Sequence, residues 1–198
     1  MTAEPTDWLA STLAADADDG AGALPLSIRP LAPTYRVAGR VTAITGATDD
    51  NLDLRAALAR GPQPGPVLVV AGGAESTRAA IGGLMARELR LNGFTALITD
   101  TPVRDAAEIR ASGLLVWSRG LTAVAPFKRG GGEVGVARFG EVLARDGDYI
   151  VADEDGVVVW PWARYAELLT AARARYESDE ARARDLEARL AEALADKG

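Results

Sequence analysis

Neither cysteine nor histidine occurs anywhere in the 198 residues. The first absence removes disulfides, thiolate nucleophiles and thiolate-held metals together. The second removes the side chain that most often serves as general base and as zinc ligand. Chemistry is left to Asp, Glu, Arg, Lys, hydroxyl groups or a metal held by oxygen, and such a site suits Mg²⁺ or Mn²⁺ with water in most positions. No apolar run approaches the ~20 residues a bilayer span requires, so no membrane partner is expected. Basic charge is short as well: 22 Lys and Arg against 28 Asp and Glu give a net charge of −6. That disfavours a nucleic-acid partner and leaves a basic protein partner open. The first residues include Glu4, Asp7 and Asp16 and no basic stretch, so a secretory signal is not expected and a cytoplasmic location is. What is present, 48% apolar and 25% charged residues, suits one globular domain with a real core.

The pattern along the chain is α/β. A short helix over 6–17 leads into an acidic, Gly-rich loop with Asp16, Asp18 and Asp19. A calcium loop is excluded there because the downstream ligands and closing Glu are missing, which leaves a solvated helix end. Extended, β-branched segments follow over 31–44, then a helix over 51–60 and a Pro/Gly turn. From Val67 the order is strand (67–70), helix (76–91), strand (95–98), helix (104–111), strand (114–118), with short connections. That is βαβ logic, with Ser76-Thr77 as the first helix's cap and Asn92-Gly93 as its stop. The run Lys128-Arg129-Gly130-Gly131-Gly132 lacks the order and the strand-to-helix setting of a phosphate-binding loop. It reads as a basic surface loop, with a place at the mouth of a site as the lesser option. Residues 134–159 supply short strands, with turn signals at Asp146-Gly147 and Asp155-Gly156. Asp153-Glu154-Asp155 is turn chemistry rather than a metal cluster. A helix rich in Ala, Glu and Arg fills 162–197, anchored by Leu168, Leu169, Leu186 and Leu190, docked by Trp160, Trp162 and Tyr165, and otherwise facing solvent or another subunit. The expected organisation is a domain over 1–161, opening with a helix and loop over 1–28, and a helical extension over 162–198.

Two segments carry candidate chemistry. Arg104-Asp105 follows the strand-like run Phe94-Thr95-Ala96-Leu97-Ile98. There an Arg can grip a substrate carboxylate while the adjacent Asp holds a hard metal ion. The plain alternative is a helix start, with Asp105 and Glu108 favouring the dipole. Upstream, Gly82-Gly83 falls within an expected helix, where each glycine costs on the order of 1 kcal/mol against Ala. Either a ligand approaches backbone amides there or the helix packs tightly on the sheet.

From about Arg29 to Pro161 the chain resembles the family of regulators of ribonuclease activity A and class II 4-hydroxy-4-methyl-2-oxoglutarate aldolases. The resemblance rests on Gly39 to Thr42, Asp50-Asn51, the strand from Val67 to Val70, Gly82-Gly83-Leu84-Met85-Ala86, Val103-Arg104-Asp105-x-x-Glu108, Lys128-Arg129-Gly130, and the closing segment from Asp146 to Pro161. It implies a swivelling α/β/α-type fold with a mixed β core and a long C-terminal helix, assembled as trimers or dimers of trimers with the site between subunits. It also implies that Gly82, Gly83, Leu84 and Met85 contact substrate largely through backbone, that Arg104 binds substrate, and that Asp105 ligates Mg²⁺ (or Mn²⁺ or another divalent cation). Glu108 matches the family's acid three residues on.

The chain departs from the pattern where Gly83 replaces an Asp or Glu that orders water on the metal, where Ala71 ends a strand that often ends in Asp, and at Thr101, usually Gly. In some relatives an acid from a neighbour's C-terminal region also reaches the site. The implied activity is cleavage of 4-hydroxy-4-methyl-2-oxoglutarate-type 2-oxo acids to pyruvate, decarboxylation of oxaloacetate, or both. With glycine at 83, the decarboxylase activity is expected to survive better than the aldolase activity. The rival expectation is a non-enzymatic oligomeric regulator that masks a ribonuclease or other protein. A paralogue that binds a carboxylate without turnover is a third. The retained Arg104-Asp105 pair favours the enzyme, since a pure scaffold need not keep a metal-binding Asp.

Overall fold

The computed structural model describes residues 8–195. Residues 6–7 of the expected first helix and 196–197 of the expected last one lie outside the described residues. The apolar runs that read as buried strands become β3 (Val67–Ala71), β4 (Ala96–Thr99) and β5 (Leu115–Ser118). All three pair in parallel beside β2 (Val37–Thr45), in the order β5-β4-β3-β2. Parallel strands bury both faces, which is why these segments are continuously apolar rather than alternating. Antiparallel strands complete a mixed sheet: β1 (Arg29–Pro30) outside β5, and β9 (Tyr149–Ala152) with β10 (Val157–Trp160) outside β2. β6 (Glu133–Val134) also pairs with β2, and β7 (Val136–Phe139) with β8 (Val142–Arg145) forms a separate hairpin. The fold is the expected mixed β core with helices and a long C-terminal helix.

Period-two alternation along β3 sorts its residues between two cores. Leu68 and Val70 face α2 (Leu54–Arg60), α3 (Gly83–Leu91) and α4 (Ala106–Ser112), packing with Leu54, Leu89 and Ile109. Val67 and Val69 face the β7-β8 hairpin, with Trp117 and Phe139. A third cluster lies over β9 and β10, where Leu9 and Ala14 of the N-terminal segment meet Leu168 and Ala172 of α5 (Tyr165–Ala195). Tyr165, stacked on Trp162 at 4.7 Å and tilted against Tyr149 at 4.6 Å, docks the start of α5 as expected. Asp153 serves the turn reading: its carboxylate accepts from Ser11 at the start of α1 (Ser11–Ala17) and from the Asp155 amide. Asp18 is not a solvated helix end, since it is buried and bound by Arg164 at 2.6 Å.

Four expected helices begin later than the sequence suggested: α1 at Ser11 rather than 6, α2 at Leu54 rather than 51, and, with more consequence for the site, α3 and α4. The segment over 76–82 is a loop, so Ser76-Thr77 caps nothing, and α3 starts at Gly83 with Gly82 as its N-cap. The glycine pair therefore opens the helix, where the interior penalty does not apply. The stop at Asn92-Gly93 is as expected, with Gly93 at φ 90°. Likewise α4 starts at Ala106, which leaves Arg104 and Asp105 in the connection ahead of it.

Candidate active site

In an open α/β sheet, ligands collect where the carboxyl ends of parallel strands meet the following loops. Here the loop after β3 delivers Gly82 and Gly83, and the loop after β4 delivers Arg104 and Asp105. The Arg104 amide donates to the Ile81 carbonyl at 3.0 Å, which ties the two loops together. Asp105 adopts the left-handed conformation (φ 57°, ψ 44°), and its side chain does not cap its own helix. Instead its Oδ2 accepts from the Gly83 amide at 3.2 Å, at the otherwise uncapped N-terminus of α3. That left-handed turn reverses the side chain from α4 toward α3, and Asp is among the few non-glycine residues that tolerate it.

Arg104 lies beside it, with Nε 3.7 Å from Asp105 Oδ2. Among the described residues, Arg104 Nε is the one buried side-chain nitrogen or oxygen with no hydrogen-bond partner. Such a group is expensive to leave unmade, and it leaves room here for an acceptor from solvent or from a ligand. The surrounding cavity of about 340 Å³ is lined by Gly82, Leu84, Met85, Arg104 and Asp105. It is also lined by Asn51, Arg55, Glu88, Ala125, Pro126 and Lys128. Two larger hollows flank α1 and α5, around Asp16, Asp19 and Arg175 and around Trp8 and Arg173, but neither gathers comparable chemistry. Arg55, Arg104 and Lys128 outnumber Asp105 and Glu88 by one positive charge, which suits an anionic ligand.

The glycine pair does make room for a close approach, but neither a ligand nor the sheet makes it: side chains of Arg104, Asp105 and Glu108 fill the space a Cβ would need. A Cβ on Gly82 would sit 2.5 Å from Asp105 Oδ2 and 3.1 Å from Arg104 Nε. A Cβ on Gly83 would sit 2.5 Å from Glu108 Oε2 and 2.6 Å from Glu108 Cβ. Glu108 thus occupies the space into which an acid at position 83 would project, and it pairs there with Arg87 of α3 at 3.2 Å. Gly83→Asp alone is therefore expected to force the two helices apart, costing roughly 1–3 kcal/mol as overpacking does. Exchanging the groups with Gly83→Asp and Glu108→Gly should recover most of that loss, because the new carboxylate lies one helical turn before Arg87. Thermal unfolding of both variants tests this, and equal melting temperatures for the single and double changes would refute it. Thr101 takes up space in the same way, since a Cβ on Gly73 would meet its Oγ1 at 1.7 Å.

The Lys128 loop lies at the cavity, the lesser of the two options the sequence offered, and Asp50-Asn51 entered only as part of the family resemblance; how the wall is held was not foreseen. Asp49, also left-handed at φ 60°, accepts from Ser76 Oγ and from the Thr77 and Arg78 amides, so it anchors the loop that precedes α3. These bonds, the Ser76 hydroxyl foremost, hold its carboxyl below the usual carboxylate range. Asp50 accepts from the amides of Leu52, Arg129 and Gly130, which pins the basic loop and brings Lys128 to the cavity. Partial desolvation pushes the Asp50 carboxyl up, but the four backbone donors together prevail and lower it. Asn51 completes the series by donating to the Ala80 carbonyl at 2.9 Å. Asp100 does the converse: burial raises its carboxyl above the ordinary range despite amide donation from Gly73 and Gly72.

Lowered carboxyls stabilise the fold above the unfolded value of about 3.9, and that stabilisation disappears as pH falls through the folded value beneath it. The two loops should thus stay in place at neutral pH and detach only in strong acid. At pH 7, Asp50→Ala is expected to weaken binding of a small dicarboxylate such as oxalate to this cavity by about tenfold, because Lys128 loses its mooring. Calorimetry checks this, and unchanged affinity would refute it.

A metal at this site would rest on Asp105. Among the described residues no three Asp or Glu side chains converge as a metal-binding group. One half-exposed carboxylate with room for water suits Mg²⁺, which keeps several waters and takes one or two protein carboxylates, and does not suit Ca²⁺. Among the described residues no helix is long and apolar enough to cross a membrane.

Residues 12–159 match the RraA-like family, described as Aldolase/RraA. A Halalkalibacterium halodurans protein, provisionally named a 4-hydroxy-4-methyl-2-oxoglutarate aldolase, is 33% identical over 88% of this chain and 83% of its own. The RNA-processing inhibitor RraA from Thermus thermophilis superposes with a TM-score of 0.65 at 31% identity, over 81% of this chain and 94% of that one. Streptomyces coelicolor RraAS2 superposes at 0.75 and 24% identity, over 89% of this chain and 93% of that one, a likeness of fold.

Proposed function

The chain belongs to the Aldolase/RraA family, and on that premise we propose that it is a divalent-metal-dependent lyase releasing pyruvate from 2-oxo acids. The observation that carries this reading is the unpartnered, buried Arg104 Nε beside Asp105 in a net-cationic cavity. A 2-oxo acid supplies what this arrangement lacks, namely a carboxylate for the Arg104 guanidinium. A Mg²⁺-like ion on Asp105 would supply Lewis acidity at the 2-oxo group.

The protein's own contribution is positioning and charge balance. Cleavage breaks the bond between C3 and C4 and leaves its electron pair on the pyruvate enolate, which then takes a proton at C3. Arg104 meets the negative charge of that enolate, and the Leu84 and Met85 amides at the open end of α3 share the task. Lys128 and Arg55, which also line the cavity, offer positive charge to the distal carboxylate of a longer substrate.

Two substrates test the reading differently. Oxaloacetate loses CO₂ with no base needed, whereas 4-hydroxy-4-methyl-2-oxoglutarate must also surrender its 4-hydroxyl proton. Glycine stands at 83 and Glu108 is engaged by Arg87, which leaves Glu88, besides Asp105, as the lining carboxylate for that proton, whereas oxaloacetate needs none. Oxaloacetate decarboxylation is therefore the favoured activity. Pyruvate release is measured from each substrate with Mg²⁺ and with EDTA. Enzyme-dependent turnover abolished by EDTA and faster with oxaloacetate supports the proposal, and no turnover above the metal alone defeats it. Similarity to the Thermus inhibitor favours the second reading, an oligomeric regulator of a basic protein partner such as a ribonuclease, which a ribonuclease-inhibition assay would then address.

A further inference from the structure

Helix α5 outruns the domain it is docked to. Its first half is packed: Leu168 and Ala172 are buried and Tyr176 lies 5.5 Å from the Trp8 ring. From residue 180 to 195 every residue is exposed, so about 24 Å of helix projects with no packed face. A helix of that length is marginal in water without burial of one side. It nevertheless carries Leu186, Leu190 and Leu194, which are 49%, 61% and 64% exposed. Counting on from Leu168 and Ala172 in steps of three and four reaches Tyr176, Asp179, Ala183, Leu186, Leu190 and Ala193. The projecting stripe is thus a continuation of the face already packed, now in a 4-3 repeat suited to a coiled-coil seam.

The charges beside the stripe indicate what covers it. Arg182 and Arg189 border one edge, seven residues apart, and Glu180 and Glu187 border the other. If two such helices run parallel and in register, Arg182 faces Glu187 of the partner subunit. If they run antiparallel, Arg edges meet Arg edges and Glu meets Glu. Arg189 also lies 3.5 Å from Asp185 on its own helix, an exposed pair that does not cover the leucines. We propose that the distal half of α5 is a self-association surface that pairs in parallel register with the same segment of another copy of this chain. With alanine at two of its four seam positions the contact is a weak one.

The absence of cysteine makes the test clean. Leu186→Cys and Ala193→Cys, made separately in the full chain, place one thiol each on the seam. Ala188→Cys places one on the opposite face. Parallel in-register helices bring each seam position to its own copy within the roughly 4.4–6.8 Å between Cα atoms that a disulfide spans. Mild oxidation followed by a non-reducing gel should show covalent dimers for both seam variants and at least about tenfold less for Ala188→Cys. An antiparallel pair can bring at most one of these positions to itself, so dimers from only one seam variant overturn the proposal. So do dimers from neither, or equal dimers from the control. Arg182→Glu should lower self-association measured by sedimentation, and Arg182→Glu with Glu187→Arg should restore it. An unrestored double variant also overturns the parallel arrangement.

Discussion

Asp105→Asn is expected to lower metal-dependent pyruvate release by about a thousandfold or more while the protein stays folded. Loss of groups that merely orient a ligand commonly costs ~10–100-fold, and the ligand itself should cost more. The choice of Asn follows from the backbone. Asp105 sits at φ 57° and ψ 44°, a conformation Asn tolerates and Ala does not. Its side chain accepts from the Gly83 amide rather than capping α4, and an Asn carbonyl oxygen can take that bond over. Asp105→Ala would add roughly 1–2 kcal/mol of backbone strain to any loss of metal, confusing two effects. The measurements are kcat with Mg²⁺, Mn²⁺ affinity by calorimetry, and Tm. Turnover within tenfold of the parent at unchanged metal affinity would remove Asp105 from the proposed chemistry.

Strand positions were legible because their cause is local. Val67 to Ala71, Ala96 to Ile98 and Leu114 to Trp117 are apolar without interruption, as strands covered on both faces must be, and Asn92-Gly93 punctuates a helix by its own backbone preference. Helix starts were misread for an equally physical reason. Ser76-Thr77 has the composition of an N-cap, but Asp49, far away in sequence, claims the Ser76 hydroxyl and the amides of Thr77 and Arg78. A tertiary anchor therefore won over a local signal, and the helix waited until Gly83.

The candidate site was legible in its centre and hidden in its walls. Arg104, Asp105 and the segment from Gly82 to Met85 do come together. Arg55 comes from α2, and Asn51 and the Lys128 loop are held at the cavity by side-chain hydrogen bonds of Asn51 and Asp50, which no spacing rule announces. Nor could the sequence reveal that Glu108 fills the space above Gly83. That is a packing relation between α3 and α4, and it changes the meaning of the glycine from a missing acid to room kept for another one.

Arg104→Ala is expected to reduce kcat/KM for oxaloacetate by about 10²–10³, equivalent to roughly 2.7–4 kcal/mol of lost transition-state stabilisation. The estimate belongs to a donor aimed at developing negative charge in a site partly shielded from water. Arg104 has that character: its Nε is buried and unpartnered, and its side chain is only 38% exposed. Arg104→Lys should recover little, because an ammonium presents a point charge where the guanidinium presents a fixed fork to a carboxylate. Gly82→Ala should mimic the loss from the opposite side, since its Cβ would fall 3.1 Å from Arg104 Nε and 2.5 Å from Asp105 Oδ2. The regulator reading gives Arg104 no comparable role, so the same variants should leave inhibition of a ribonuclease unchanged under it. Oxalate, a stable mimic of the pyruvate enolate, separates binding from turnover. Weaker oxalate binding in Arg104→Ala, in step with its lost kcat/KM, assigns the Arg104 guanidinium to the enolate. Undiminished oxalate binding and turnover would take the substrate away from this cavity.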